Sequence, residues 1–466
     1  MSFPTQIFRE YDIRGHADKH LSDDLFRGLG RAFSTLIAPG PGVRVAVGRD
    51  CRLSSPRLFA ALVDGLTAAG LDVVDVGIGP TPMLYFAVHH LGVHGGLMIT
   101  GSHNPGDENG VKMLRLTGSI YGAEIQALRA AIERGDTPAA VERGKVESWD
   151  PTAAYLERMK GDIRVTGKLP VVLDAGNGSG GPLGLAAMRA VGLDPVPLYC
   201  DMDGTFPNHH PDPTQPENVE ALINKVRETG ARVGIAFDGD ADRIGAVDAD
   251  GTIVWGDRLL TLFARDILKT NPGAAILGEV KCSQTLYDDI AKHGGRPILW
   301  KTGHSLIKTK MKEEHALLAG EMSGHMFFAD RYYGYDDAIY GALRLCELLS
   351  REGKTIGELL SDLPVTHVTP ELRVDCPDAT KFAIVDAVRA KFRAAIGREV
   401  SGLAVRDVVE IDGARILFTH GWGLVRASNT QPVLVIRFEA DTVARRDALR
   451  AVVEAAIAEA KAAYVA

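Results

Sequence analysis

The chain has 466 residues, of which 24% are charged and 45% hydrophobic, and its formal net charge is −8. This length exceeds one ordinary hydrophobic core and predicts about three or four domains. The negative charge argues against nucleic acid or an anionic membrane as a partner. The sequence also lacks an export signal and an apolar span of about 18 residues. Its five scattered cysteines have no CxxC spacing, so a cytoplasmic protein without structural zinc is expected.

Three segments repeat one order: apolar strand, polar or glycine-rich loop, amphipathic helix, second apolar strand. They occupy residues 43–77, 169–199 and 274–300. Gly70, Gly192 and Gly294 stand near the predicted helix C-termini, where a left-handed residue commonly ends a helix. Each segment is a plausible βαβ unit, so the sequence predicts three related α/β domains.

The last hundred residues have a different residue pattern. Residues 416–441 are rich in strand formers, Asp412-Gly413 is a hairpin signal, and an alanine-rich helix is predicted over 441–464. This pattern predicts an α+β module. The expected domains are 1–148, 149–251, 252–365 and 366–466.

Residues 97–115, LMITGSHNPGDENGVKMLR, predict a strand, a loop and a second strand. Pro105 blocks a helix and Asn109-Gly110 indicates a turn. Ser102 would lie at the top of the loop, where the absence of bulky neighbours lets a large group approach its hydroxyl. A serine that only satisfies loop backbone groups is the more common alternative.

In IAFDGDADRIGAVD, Asp238, Asp240 and Asp242 alternate with small residues, so three carboxylates can converge on one cation. Ligands that are all oxygen favour Mg²⁺. An EF-hand loop fails, because Arg243 stands where it needs glycine and Ala249 where it needs glutamate. A solvated acidic turn remains an alternative.

A competing pattern is DAGNGSGG, where Gly176, Gly178 and Gly181 match GxGxxG after a strand and before a helix. Asp201 lies near the place of a ribose-binding carboxylate. This pattern favours a nicotinamide-dependent dehydrogenase, although a tight glycine turn also serves plain packing.

Four further short motifs carry polar residues, three of them on predicted loops and the fourth near the start of the chain. GEMSGH offers Glu321, Ser323 and His325 to a polyhydroxylated ligand, and RASNT offers a guanidinium, hydroxyls and an amide to a phosphate. KTGHS contains His304, and FREYDIRG contains Tyr11 and Arg14. An ordinary polar turn is the alternative for GEMSGH and a simple strand-turn-strand connection is the alternative for RASNT, while KTGHS and FREYDIRG are ambiguous alone.

Taken in order, FREYDIRG, TGSHNP, DGDADR, GEMSGH and RASNT resemble the α-D-phosphohexomutases, closest to the bacterial phosphomannomutase/phosphoglucomutase group, over essentially the full chain. The resemblance implies three α/β domains with mixed sheets and a C-terminal α+β domain around a central active-site cleft. Gly101 and Met322 look more like the glucose/mannose branch than the glucosamine branch, which tends to carry alanine and glutamine there.

The family's functional residues carry over by position. Ser102 resembles the phosphoserine, and with Asp238, Asp240 and Asp242 it is expected to bind one Mg²⁺ per chain. The other residues expected to be catalytic are His103, Lys112, Arg243, His304 and Arg14, with Lys112 and His304 as candidates for proton transfer. The residues expected to bind substrate are Tyr11, Lys281, Gly303, Glu321, Ser323, His325, Arg426, Ser428, Asn429 and Thr430.

The resemblance implies an isomerase that is an intramolecular phosphotransferase of carbohydrate metabolism. It would interconvert glucose or mannose 1-phosphate and 6-phosphate through a phosphoserine and a hexose 1,6-bisphosphate. Glucose 1,6-bisphosphate is the expected activator and a monomer the expected state. The alternatives are the dehydrogenase and a non-catalytic phosphosugar-binding protein.

Overall fold

The computed structural model describes residues 3–37, 42–135, 139–429 and 431–465. Its described part forms four sheets with accompanying helices, an α/β architecture. Two compact units can be separated. The first contains Met1–Ile276, His293–Arg296 and Gly303–Ser361, and the second contains Leu277–Lys292, Pro297–Thr302 and Asp362–Ala466. Every helix within the described ranges is too short or too polar to cross a membrane.

The N-terminal part of the first unit forms a seven-stranded mixed sheet. Its elements follow a short 3₁₀ turn at Thr5–Ile7 and are β1 Ile13–His16, α1 Asp23–Ile37, β2 Arg44–Arg49, α2 Ser55–Ala68, β3 Asp72–Ile78, α3 Thr81–Leu91, β4 Gly95–Ile99, β5 Glu108–Arg115, β6 Gly118–Ser119, α4 Ala123–Arg134 and β7 Val146–Ser148. The strand order is β1-β5-β4-β2-β3-β7, with β6 beside β5.

The first predicted βαβ unit is confirmed as β2, α2 and β3, with the two strands parallel. Gly70 has a φ of 84°, a left-handed conformation, directly after the helix. The central strand β4 is buried along its whole length, as expected for a strand covered on both faces. It pairs antiparallel with β5, so the loop that carries Ser102 joins two neighbouring strands.

Asn109-Gly110 does not form a turn, so that prediction was wrong. Both residues lie inside β5, where Asn109 pairs with Gly15 and Gly110 with Arg14. A Cβ on Gly110 would lie 2.1 Å from the carbonyl oxygen of Ile13. The glycine therefore permits close contact between β5 and β1 rather than a reversal of the chain.

The second sheet is also mixed and carries the acidic segment. Its elements are α5 Thr152–Asp162, β8 Val171–Asp174, α6 Gly181–Ala190, β9 Val196–Leu198, a 3₁₀ turn at Pro216–Val219, α7 Glu220–Thr229, β10 Val233–Phe237, β11 Ile244–Asp248 and β12 Ile253–Val254. The order is β12-β11-β10-β8-β9. The second βαβ unit is confirmed, with β8 and β9 parallel. The acidic residues lie on the tight connection between antiparallel strands β10 and β11.

The third sheet has the strand order β14-β13-β15-β16. Its elements are α8 Gly256–Thr270, β13 Ala275–Glu279, α9 Gln284–Lys292, β14 Arg296–Trp300, α10 His304–Glu314, β15 Leu318–Gly320, β16 Met326–Phe328, α11 Ala338–Glu352 and α12 Ile356–Leu359. The third predicted βαβ segment corresponds to β13, α9 and β14. GEMSGH spans the turn between β15 and β16.

The C-terminal part of the second unit is an antiparallel sheet with α13 and α14 packed on it. Its elements are β17 His367–Val368, β18 Leu372–Asp375, α13 Lys381–Ala394, β19 Glu399–Val400, β20 Leu403–Val409, β21 Ala414–Phe418, β22 Gly421–Ala427, β23 Val433–Ala440 and α14 Val443–Val465. The order is β17-β23-β22-β21-β20-β19, with β18 also beside β23. Asp412-Gly413 lies between β20 and β21, which confirms the predicted hairpin and the α+β class.

Candidate active site

Ser102 lies on the loop after β4 with a φ of 51°, a left-handed conformation that serine seldom adopts. It is only 4% exposed. Its hydroxyl donates to Asp238 Oδ2 at 3.1 Å and lies 3.2 Å from His103 Nδ1. Strained backbone of this kind persists only where the surroundings fix it, which indicates a functional loop.

The buried guanidinium of Arg52 fixes that loop. Its Nη2 donates to the carbonyl oxygens of Ser102 at 2.7 Å and Asn104 at 2.6 Å, and Nη1 donates to those of Glu108 at 3.0 Å and Pro105. A Cβ on Gly101 would lie 2.6 Å from the guanidinium carbon. One side chain therefore satisfies four loop carbonyls, and Gly101 leaves room for it.

The acidic loop converges as predicted. One oxygen from each of Asp238, Asp240 and Asp242 lies within 4.8 Å of the others, and all three residues are at most 1% exposed. Ala241 has a φ of 54°, which folds the loop back on itself. A Cβ on Gly239 would lie 2.3 Å from the carbonyl oxygen of Ser102, so this glycine lets the acidic loop reach the serine loop.

These three carboxylates fit a hard divalent cation. The Oδ1 atoms of Asp240 and Asp242 are buried and have no hydrogen-bond partner among the residues described. Burial raises the pKa of Asp238 to about 7, and the negative charges of Asp242 and Asp240 act in the same direction. The positive charge of Arg243 only partly opposes them. A buried site with this surplus of negative charge and ligands that are all oxygen suits Mg²⁺.

Two cations lie against the triplet. Lys112 Nζ is 2.7 Å from Asp240 Oδ2 and 2.5 Å from Asp242 Oδ2. Burial opposes the charge of Lys112, but the two carboxylates outweigh it and raise its pKa. Arg243 Nε donates to Asp238 Oδ2 at 3.0 Å, while its Nη2 is buried without a partner in the described ranges. That Nη2 is a donor available to a phosphoryl oxygen.

Two stacked imidazoles lie close to the aspartate triplet. The ring centroids of His304 and His325 are 5.7 Å apart. Burial and the neighbouring Lys308 lower the pKa of His304. Burial also opposes the charge of His325, but the carboxylate of Asp242 outweighs it and raises the pKa of His325 to about 10. The environments thus separate one neutral imidazole from one charged imidazole.

The remaining residues expected in the first unit are held by specific contacts. Glu321 accepts from the backbone N–H of Gly303 at 2.6 Å and lies 2.7 Å from His325 Nδ1. Ser323 Oγ lies 3.1 Å from the same nitrogen. The Tyr11 ring packs edge-on against His304. Arg14, on β1, donates to Asn104 Oδ1 at 3.0 Å and thereby contacts the serine loop.

The second unit contains the other basic residues expected to bind substrate. Lys281 Nζ lies 3.0 Å from Glu371 Oε2, and Arg426 Nε donates to Asp412 Oδ2 at 3.0 Å. Ser428 is buried and its hydroxyl accepts from the N–H of Gln431 at 3.2 Å. Asn429 follows it and is partly buried. Thr430 lies outside the described residues.

Four family profiles cover most of the chain. They are described as phosphoglucomutase/phosphomannomutase alpha/beta/alpha domain I, domain II, domain III and C-terminal domain, and they match residues 5–139, 153–251, 255–367 and 371–456. The chain belongs to the phosphoglucomutase/phosphomannomutase family.

Similar proteins agree with this family assignment. The phosphomannomutase/phosphoglucomutase of Pseudomonas aeruginosa is 47% identical over 442 residues, covering 95% of this chain and 93% of its own. The phosphoglucomutase of Neisseria gonorrhoeae is 44% identical, covering 95% of each chain. A crystal structure of a phosphoglucomutase/phosphomannomutase family protein from Burkholderia thailandensis matches with a TM-score of 0.91 at 44% identity, over 99% of this chain and 98% of the other.

The glycine pattern that favoured a dehydrogenase has another use in this family member. A Cβ on Gly178 would lie 2.7 Å from the carbonyl oxygen of Gly239, and one on Gly181 would lie 2.1 Å from that of Cys200. The glycines therefore let the loop pack against the chain's own backbone, including the acidic loop. Packing was the alternative explanation of this pattern, and the structure favours it.

Sequence reasoning missed several residues that hold the site. They are Arg52, Asp212, Lys308, Asp336, Glu371 and Asp412. Asp212 Oδ1 lies 3.3 Å from Arg243 Nη1, and Lys308 Nζ donates to Asp336 Oδ1 at 2.8 Å. Apart from Asp412, which was noted only as part of a hairpin signal, these residues stand outside the motifs described above. A single charged residue was the only available signal, and it is too common to single them out.

Proposed function

We propose that this chain is a phosphohexomutase that reversibly interconverts hexose 1-phosphate and hexose 6-phosphate, with glucose and mannose as its sugars. The observation that carries the proposal is the hydroxyl of Ser102, held 3.1 Å from Asp238 within a buried aspartate triplet. A serine fixed beside a cation site is arranged to carry a phosphoryl group and exchange it with a sugar hydroxyl.

The chain's own residues would supply positioning and charge. Arg52 holds the Ser102 loop rigid, and Asp238, Asp240 and Asp242, with the phosphoserine, would bind one Mg²⁺. When bound, this ion withdraws charge from the phosphoryl oxygens. Lys112 would add donors to those oxygens, and so would Arg243 Nη2, which has no hydrogen-bond partner among the described residues. Catalysis of phosphoryl transfer depends mainly on such positioning and electrostatics.

Proton transfer is better placed on the imidazole pair than on Lys112. Lys112 bonds to two carboxylates and is held as an ammonium ion, so it acts as a cation and not as a base. The lowered pKa of His304 favours it as the acceptor of the proton from an attacking sugar hydroxyl, while the raised pKa of His325 favours it as a proton donor. A reversible reaction needs both capabilities.

Two half-reactions complete the cycle. Phosphoserine 102 gives its phosphoryl group to the free hydroxyl of the sugar phosphate, which forms a hexose 1,6-bisphosphate. The bisphosphate then reorients within the site and returns its other phosphoryl group to Ser102. Glu321 and Ser323 would bind the sugar hydroxyls, and Lys281, Arg426, Ser428, Asn429 and Thr430 the phosphate that does not react. His103, Arg14, Tyr11 and Gly303 would complete the lining.

Several further expectations belong to this proposal. The domains are 1–148, 149–251, 252–365 and 366–466, and the family profiles end near the same places. Glucose 1,6-bisphosphate would activate by phosphorylating Ser102. The protein would act as a cytoplasmic monomer, and its five cysteines are free thiols, as a reducing compartment requires.

The test is a coupled assay with glucose 1-phosphate and mannose 1-phosphate, Mg²⁺ and a trace of glucose 1,6-bisphosphate. Ser102→Ala should lower turnover by at least about 1,000-fold, because the covalent carrier is lost. Ser148→Ala, at an exposed serine, is the matched control. Mass spectrometry should find one phosphoryl group on Ser102. Full activity in Ser102→Ala, or tight NAD(P)H binding without mutase activity, would contradict the proposal.

A further inference from the structure

A second cluster of metal-ligating groups lies beside the aspartate triplet. One atom each from Asp242, His325 and Asp336 lies within 4.8 Å of the others. The cluster shares only Asp242 with the triplet, and it adds an imidazole to the carboxylates. Nitrogen and oxygen ligands together favour a different ion from the one that a set of oxygen ligands selects.

The two carboxylates each leave one oxygen available. Asp336 is 0% exposed, and its Oδ1 accepts from Lys308 Nζ at 2.8 Å. Asp242 Oδ2 accepts from Lys112 Nζ. The other oxygens, Asp336 Oδ2 and Asp242 Oδ1, are buried without a hydrogen-bond partner among the described parts of the chain. Leaving a buried carboxylate oxygen without a hydrogen bond is costly, so both atoms are candidate ligands for a cation.

The imidazoles are oriented to complete such a site. His325 Nδ1 lies 2.7 Å from Glu321 Oε2, which directs Nε2 toward Asp242 Oδ1 at 3.4 Å. A carboxylate behind one ring nitrogen, with the other nitrogen facing outward, is the arrangement in which proteins hold metal-binding histidines. His304 Nδ1 also lacks a partner in the part of the chain described, and lies 3.6 Å from Asp336 Oδ2.

We propose that Asp242, His325 and Asp336, with His304 as a fourth ligand, form a second cation site that binds a transition metal ion such as Zn²⁺. Two imidazole nitrogens and two carboxylate oxygens suit tetrahedral zinc, whereas the triplet suits Mg²⁺. Asp242 is the one residue that both ion sites would share. Binding releases the proton from His325 Nε2, because a ligand nitrogen must be unprotonated.

The site has an inhibitory consequence, and that consequence rests on the proposed function. Zinc would occupy the nitrogens of both imidazoles that the mutase needs for proton transfer. It should therefore inhibit even when Mg²⁺ saturates the triplet, and a chelator should restore activity. The binding site itself does not depend on the catalytic role of these residues.

Zinc binding is measured on the full chain with saturating Mg²⁺ by isothermal titration calorimetry. In a second experiment Co²⁺ replaces zinc, and its visible absorption spectrum is recorded. We expect one zinc per chain and the intense Co²⁺ bands of a tetrahedral site that contains nitrogen ligands. Asp336→Asn should weaken zinc binding by at least about 10-fold. His325→Gln should do the same, and it serves if Asp336→Asn fails to fold. Circular dichroism checks the folding of each variant.

Two control variants locate the ion. Asp240→Asn alters only the triplet and should keep zinc binding. His420→Ala removes an exposed imidazole that lies 3.3 Å from Asp441. It controls for loose zinc binding at the surface, and we expect it to leave the zinc affinity unchanged. Zinc binding that is lost in Asp240→Asn and kept in folded Asp336→Asn and His325→Gln would place the ion in the triplet and overturn the proposal. Absence of tetrahedral Co²⁺ bands would overturn it as well.

The activity measurements distinguish this proposal from the proposed function. If Ser102→Ala keeps mutase activity while zinc still binds as described, the mutase mechanism fails and the zinc site stands. If zinc binds with the expected variant pattern but turnover is unaffected, the site also stands, and the proton-transfer role of the imidazoles is wrong.

Discussion

The aspartate-rich site in the first unit and the basic loops in the second unit differ in how their charges are balanced. In the first, Asp212, Asp238, Asp240 and Asp242 surround two cations, Lys112 and Arg243. In the second, Arg426 and Lys281 each lie 3.0 Å from a carboxylate, that of Asp412 or Glu371. The first region has a surplus of negative charge, whereas the second holds individual cations in place.

This difference separates two ways of preparing for phosphate. A surplus of buried carboxylates needs an added cation before a phosphoryl group can approach it. A cation that a neighbouring carboxylate already holds needs no such ion, because its side chain is oriented for an incoming anion. Lys281 holds the pKa of Glu371 at about 2, against the effect of burial, so this pair stays charged at neutral pH.

The largest expected effect comes from the surplus of carboxylates. Removing divalent ions with EDTA should abolish mutase turnover, and Mg²⁺ should restore it. Asp240→Asn should lower turnover by about 100-fold and raise the Mg²⁺ concentration needed for half-maximal activity, because one charged ligand is lost. The coupled assay across a Mg²⁺ titration measures both.

The matched control for that experiment is Asp250→Asn. Asp250 is exposed, on the turn after β11, and has the same change of charge. Its variant should keep both the turnover and the Mg²⁺ requirement of the original chain. If Asp240→Asn, or the original chain without divalent ions, kept full activity, the aspartate-rich site would not need an added cation. The contrast with the second unit would then be wrong.

A smaller effect is expected in the second unit. Asp412 accepts from Arg426 Nε and from the N–H of Thr302 at 3.1 Å, and so it orients the guanidinium. Asp412→Asn should raise the KM for hexose phosphate by about 10-fold, which corresponds to about 1.4 kcal/mol. Its kcat should change less than about twofold, because the phosphate that we propose for Arg426 is not the reacting one.

Asp407→Asn is the control for this prediction, since Asp407 is an exposed aspartate of the same sheet. Its KM should not change. The opposite sign is informative too. A lower KM in Asp412→Asn would mean that the carboxylate competes with phosphate for Arg426, and the orienting role would be wrong.

Sequence patterns predicted the parts of this molecule whose chemistry is local. The three βαβ units follow from apolar periodicity and from glycines such as Gly70, which a left-handed helix end requires. The convergence of Asp238, Asp240 and Asp242 follows from their alternating spacing, because one short loop carries all three. The Ser102 loop between two strands was predicted for the same reason.

Residues that act across long sequence separations could not be found in this way. Arg52 supports a loop that starts about fifty residues later, and Asp336 faces His304 from a segment about thirty residues further along the chain. Asn109-Gly110 was misread because a dipeptide typical of turns also suits close strand packing. Local propensity is a weak guide wherever tertiary contacts decide the conformation.

The smallest predicted effect concerns a paired cation away from both regions. His209 Nε2 lies 3.1 Å from both oxygens of the fully buried Asp174. Burial lowers the pKa of His209, but the bond to Asp174 and its charge outweigh this and raise the pKa above 6.5. The charged pair therefore stabilises the fold fully below the ordinary pKa of the imidazole, and this stability is lost as the pH rises through the raised value.

His209→Gln should lower the free energy of unfolding by about 1 kcal/mol near pH 6 and by less near pH 9, because the half-buried pair is partly screened by solvent. The measurement is the midpoint of thermal unfolding at each pH. His210→Gln is the control, because burial lowers the pKa of this neighbouring imidazole and its pH dependence should run the other way. If His209→Gln lowers the free energy of unfolding equally at both pH values, His209 acts through packing. In that case its charge pairing with Asp174 adds nothing measurable to stability.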